Sequence, residues 1–126
     1  MPRGALRSVA AVGALAVAVA SCGSEGRPSN AEWVPKWDAM VAVLPEESGL
    51  GSPPNEEVCQ DTLSALRTAN EGLLPTPTTA IDDLVADWTA IAEAAFFECP
   101  PEGGSFFEVY DELATIEESI ETALSG

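Results

Sequence analysis

The stretch SFFEVYDELATIEESIETALSG, residues 105–126, decides the fold class. Phe106, Val109, Leu113, Ile116, Ile120 and Ala123 recur at alternating spacings of three and four, with Tyr110 and Leu124 beside them. That period marks one face of an α-helix, whereas a half-buried strand alternates apolar and polar residues every two. Asp111, Glu112, Glu118 and Glu121 fall on the opposite face. Ser105 and Glu108 stand three apart at the start of the run. This is the capping-box pattern, in which each side chain satisfies an orphaned backbone N–H.

Three more segments upstream carry the same period. Ile81, Leu84, Trp88, Ile91 and Ala95 form a stripe widened by Val85, Ala92 and Phe96. A stripe this wide suits a helix with two neighbours. The helix opens at Thr76-Pro77 or at Thr79, with Asp82 three residues after the latter, and Pro100-Pro101 ends it. Cys59, Leu63, Leu66, Asn70 and Leu73 follow Asn55, a good N-cap, with Glu56 and Glu57 favourable in the first turn and Gly72 as the stop. Trp33, Trp37, Met40 and Leu44 form the first stripe. Ser29 and Glu32 also match a capping box, but a start there puts Pro35 inside the helix. Proline is best tolerated in the first turn, so the expected start is near Val34, with Pro45 as the stop.

Breaker clusters at Pro45–Asn55, Leu74–Thr78 and Pro100–Gly104 separate the four segments. Short connections favour antiparallel neighbours, so the expected fold is all-α, a small up-down four-helix bundle. The alternative is a three-helix core with a loosely docked first helix.

Met1 to Cys22 reads differently. Arg3 and Arg7 supply positive charge, Val9 to Ala20 is an unbroken apolar run, and Val19-Ala20-Ser21-Cys22 follows. The run is too short to span a bilayer, which takes about 20 apolar residues in a helix. This arrangement resembles a bacterial lipoprotein signal peptide. It departs from the commonest form in having Val19 where Leu is usual. The resemblance implies that residues 1–21 are removed and that Cys22 becomes an acylated first residue. It implies a chain lipid-anchored in the cell envelope, on the outer face of the cytoplasmic membrane or the periplasmic side. Ala18-Val19-Ala20 is also an acceptable small-x-small site for ordinary secretion, which would leave Cys22 as a free thiol. Residues 22–32, rich in Gly, Ser, Pro and Asn, are expected to form a flexible tether, and residues 33–126 the domain.

Cysteine arithmetic agrees with lipidation. Of three cysteines, an acylated Cys22 leaves Cys59 and Cys99 as one pair. Cys59 lies in the first turns of the second helix and Cys99 at the end of the third, and these ends meet in an antiparallel hairpin. The second helix climbs about 21 Å from Cys59 to Leu73 and the third descends about 30 Å. An extended Leu74–Thr78 absorbs the difference of roughly 9 Å. A structural disulfide is expected.

Removing the first 21 of the 126 residues leaves 105, enough for one modest core. Arg27, Lys36 and Arg67 then face all 21 acids, for a net charge of −18. Such a surface repels nucleic acid and anionic headgroups and keeps the protein soluble. There is no His, which removes the commonest general base and metal ligand. No glycine-rich phosphate loop, EF-hand pattern or Cys-x-x-Cys occurs. No metal site, cofactor or catalytic residue is expected. The carboxylate pairs Asp82-Asp83, Glu117-Glu118, Glu56-Glu57 and Asp111-Glu112 read as solvated helix faces.

Trp33, Trp37 and Trp88 read as core, with Trp33 and Trp37 as a partner-facing patch in the alternative. The function expected is non-catalytic, through contact with an envelope protein. A carrier holding an apolar or cationic small molecule between helices is the second reading, with the Trp residues, Phe96, Phe97 and Phe107 lining a cavity. A hydrolase ranks last, for want of a nucleophile-base pair.

Overall fold

The computed structural model describes residues 26–51, 54–101 and 105–126. The signal segment and Cys22 lie outside the described residues. Four α-helices follow one another: α1, Asn30–Ala42; α2, Glu56–Asn70; α3, Thr79–Glu98; and α4, Phe106–Ser125. A short 3-10 turn at Glu47–Leu50 sits between α1 and α2. There is no strand among the described residues, and none of their helices is long and apolar enough to cross a membrane. The fold is an all-helical bundle with one disulfide.

Helix α3 packs against both α2 and α4, as its wide stripe predicts. Phe96 meets Phe106 at 4.9 Å between ring centroids, and Trp88 Nε1 donates to Glu117 Oε2 at 2.9 Å. As the residue number falls along α3 its contact on α4 rises, so the two helices are antiparallel. Trp33, Met40, Leu66, Trp88 and Ile120 are among the fully buried side chains of one shared core.

Helix α1 is docked, which excludes the three-helix alternative. Trp33 stacks on Trp37 at 5.7 Å, and Trp37 meets the edge of Trp88 at 5.2 Å. The buried Trp33 Nε1 donates to the Leu73 carbonyl at 2.8 Å. Asn30 Nδ2 donates to the Leu124 carbonyl at 2.9 Å, tying the first turn of α1 to the last turn of α4.

The start of α1 corrects the expected Val34. Ser29 is the N-cap, and the Ser29–Glu32 capping box forms in both directions, leaving Pro35 inside the helix. An interior proline costs about 3 kcal/mol. Here the carbonyl that loses its N–H partner belongs to Ala31, and both Ala31 and Pro35 are exposed, which leaves that carbonyl open to solvent. The longer helix sets Trp33 one turn above Trp37, and burying such a side chain stabilises by roughly 1.5–3 kcal/mol. The last three residues of the expected tether, Asn30 to Glu32, are therefore helical. At its other end α1 stops at Ala42, before Pro45.

The other caps fall close to expectation. Asn55 accepts from the N–H groups of Glu57 and Val58. Helix α3 opens at Thr79, the second of the two expected starts, with Thr78 capping it through the Ile81 N–H. Ser105 caps α4 by accepting from Phe107 rather than from Glu108. Within the Pro45–Asn55 breaker, Leu50 inserts into the core at 2 % exposure. The chain leaves it through Gly51 at φ 88° and ψ 170°, a conformation open almost only to glycine.

Candidate functional site

Cys59 and Cys99 form the expected bond, with S–S 2.04 Å and Cα–Cα 6.2 Å. It joins the first turn of α2 to the residue capping the end of α3. Cys59 is fully buried, and Cys99 holds the uncommon φ of 29° as it leaves the helix. Both sulfurs are committed to the cross-link.

The four carboxylate pairs do not converge on one another. Asp82 turns inward from the first turn of α3. Its Oδ1 accepts from the Thr76 N–H at 3.0 Å and the Thr76 hydroxyl at 2.7 Å, and its Oδ2 accepts from Arg27 at 3.0 Å. Arg27 also donates to the Thr76 carbonyl at 2.8 Å. One carboxylate thus ties the chain before α1, the α2–α3 connection and α3 together. The Arg27 guanidinium holds the Asp82 carboxyl below its ordinary range, Thr76 adds to this, and partial burial opposes it. Glu117 accepts from Trp88, while Asp83, Glu118, Glu56, Glu57, Asp111 and Glu112 are exposed.

Tyr110 closes the 3-10 side of the bundle, its hydroxyl donating to the Pro45 carbonyl at 2.6 Å. Burial, then the nearby Glu47 charge, pushes its phenol up to about 12.

The aromatic residues divide sharply. All three tryptophans are buried, so Trp33 and Trp37 form no partner-facing patch. Phe96 is in the core, but Phe97 and Phe107 are 73 % and 64 % exposed and line no interior cavity. They flank the α3–α4 connection, at the end of the bundle that carries the disulfide. Leu74, 54 % exposed, sits in the α2–α3 connection at the other end.

Open grooves mark the surface of the described residues, and two of them bear on binding. One, of about 420 Å³, lies where the described chain begins, between Arg27, Glu32 and Lys36 on one side and Leu74 and Pro75 on the other. The larger, about 740 Å³, runs between α3 and α4. Ile91 and Ile116 form its half-buried floor, and the exposed carboxylates of Asp87, Glu108, Asp111 and Glu112 form its rim. Neither α3 nor α4 contains a single Lys or Arg. Asp87, Glu108, Asp111 and Glu112 take no ion pair among the described residues, where Arg27–Asp82 and Arg67–Glu93 are the pairs formed.

The trough therefore combines an apolar floor with a rim of four exposed carboxylates. The sequence reading missed it because it named carboxylates by adjacency along the chain. The available signal was the lack of any cation after Arg67. Comparison with protein-family models, curated proteins and solved structures finds no match to this chain.

Proposed function

We propose that this chain is a lipid-anchored envelope protein that acts by binding another protein and performs no chemistry of its own. The observation that carries the reading is a contrast between inside and outside. The three tryptophans and Phe96 are buried together in the shared core, while α3 and α4 present an open acidic groove and two exposed phenylalanines.

Anchoring at Cys22 would hold the start of the bundle near the membrane. Cys22 precedes Gly26 by four residues, and extended chain covers at most about 3.6 Å per residue, so Gly26 would lie within about 14 Å of the membrane. Gly26 lines the smaller groove, beside the start of α1 and Leu74. Phe97 and Phe107 lie about 30 Å from that end of the bundle, the length of the 20-residue α3.

Intact-mass analysis of protein extracted from membranes tests the anchor. The expected species begins at Cys22 and carries acyl chains. A chain beginning at Ser21 with a free thiol would replace this reading with plain secretion.

The larger groove exceeds the roughly 300 Å³ of a small-molecule site, which is what favours the carrier reading. Such sites bury about 70–90 % of their ligand. A trough open along its length suits an elongated partner better.

A further inference from the structure

We infer that the groove between α3 and α4 is the docking site for a cationic amphipathic helix of the partner protein. The inference rests on the reading of this chain as a protein-binding module and names the chemistry of what it binds.

Three observations converge on this occupant. The first is shape. On α4 the lining runs from Glu108 to Ile116, about 12 Å at 1.5 Å per residue, which matches two to three turns of a docked helix. Ile91 and Ile116 sit where the apolar anchors of such a helix would rest, the usual mode of helix-in-groove recognition.

The second is charge. Helix α3 carries Asp82, Asp83, Asp87, Glu93 and Glu98, and α4 carries Glu108, Asp111, Glu112, Glu117, Glu118 and Glu121, with no cation on either. Arg27, Lys36 and Arg67 all precede α3. Arg27 and Arg67 reach Asp82 and Glu93, and neither reaches the groove rim. The rim is left for an external cation.

The third is the spacing of the rim. Among the described residues no group of three or more carboxylates is gathered closely enough to hold a metal ion. Carboxylates spread along two helices suit charges spread along a third, not a point charge. A second copy of this chain would bring acid against acid.

Exposed ion pairs are individually weak. The apolar floor therefore supplies the hold, and the rim supplies selectivity and rate. Affinity should fall as salt shortens the screening length to about 8 Å at physiological ionic strength.

The test is an NMR titration of the full mature chain, residues 22–126, in neutral detergent. The probe is a synthetic Lys/Leu amphipathic peptide of about 14 residues, near the length at which isolated helices become stable. A scrambled peptide of identical composition is the control. The expected result is saturable binding, with shifts concentrated on Ala90, Ile91, Thr115 and Ile116 and at least tenfold weaker binding of the scrambled peptide. Glu108→Gln with Asp111→Asn and Glu112→Gln should weaken binding about tenfold, as the loss of three exposed pairs implies. Glu57→Gln with Asp61→Asn and Glu71→Gln makes the same charge change on the α2 side and should cost under about threefold. Ala90→Arg, which fills the groove from an exposed position, should match the groove triple and guards against misfolding of that variant.

Equal losses in both triples would overturn the inference, since net charge alone would then explain binding. So would shifts centred on Phe97 and Phe107, or equal affinity for the scrambled peptide. The titration reads the groove whatever the state of Cys22, so its failure is separable from failure of the anchor.

Discussion

Opening the Cys59–Cys99 bond is expected to remove about 4 kcal/mol of stability. The two residues are 40 apart in sequence. Releasing a loop of that length returns roughly 13 cal/mol/K of entropy to the unfolded chain on the chain-entropy model, or about 4 kcal/mol at 25 °C. A small domain has only about 5–10 kcal/mol in total. Near 100 residues, 1 kcal/mol moves the melting temperature by about 4 °C, so the midpoint should fall by about 15 °C. The fully buried Cys59 gives the experiment a second arm. Reduction keeps both sulfurs in place and reads the cross-link alone. Cys59→Ala with Cys99→Ala also empties part of the core and should cost about 1 kcal/mol more. The assay is a helical circular-dichroism melt of oxidised, reduced and doubly substituted protein. Midpoints of oxidised and reduced protein within about 3 °C would refute the reasoning, because the α2–α3 packing would then hold the hairpin unaided.

Four further outcomes are expected. Asp82 has a lowered folded pKa, so its contribution is full above the unfolded value of about 3.9 and is lost as pH falls through the folded value. The stability gap between native protein and Asp82→Asn, followed by denaturant midpoints, should therefore narrow below about pH 4, and a constant gap would contradict this. Tyr110 is the sole tyrosine, so ultraviolet titration reads it alone and should place its midpoint at about 12 in the folded chain. In denaturant it should return to about 10, and because the folded value is the higher one, stability is full below pH 10 and declines as pH rises towards 12. Trp33→Phe leaves the buried Leu73 carbonyl without its donor and should cost about 2–3 kcal/mol, read as a lower urea midpoint at unchanged slope. Raising ionic strength from about 0.01 to 0.15 M shortens the screening length from roughly 30 to 8 Å and should raise the melting temperature of this acidic chain, so an unchanged melt would count against self-repulsion.

The helical architecture was legible because the apolar period is strong in every segment and the caps at Asn55 and Ser105 announce two helix starts. The α1 start was misread for a specific reason. A rule about interior proline was set against a visible capping box, and sequence alone does not show that Ala31 and Pro35 face water. Leu50 was overlooked among breakers, although it is the one large apolar residue between Pro45 and Asn55. Phe96 and Phe97 show a finer point. Neighbours on a helix point about 100° apart, so one faces the core while the other faces solvent.

The Arg27–Thr76–Asp82 junction had no local pattern to betray it. Its three residues come from segments read as tether, connection and helix, and only the folded chain brings them together. The groove is similar. Its charge could be read from the chain, but its depth and floor depend on how α3 and α4 lie against each other.

The central claim is that a tethered acidic bundle captures a cationic partner through α3 and α4. The most direct measurement is photo-crosslinking in intact cells from a reactive side chain placed at Ala90, compared with one at Lys36 on α1. Both placements are repeated with Cys22→Ser. The account predicts one defined envelope protein joined from Ala90 through a Lys- or Arg-rich helical segment, absent from Lys36 and lost with Cys22→Ser. No capture from Ala90, or equal capture from both positions, would contradict it.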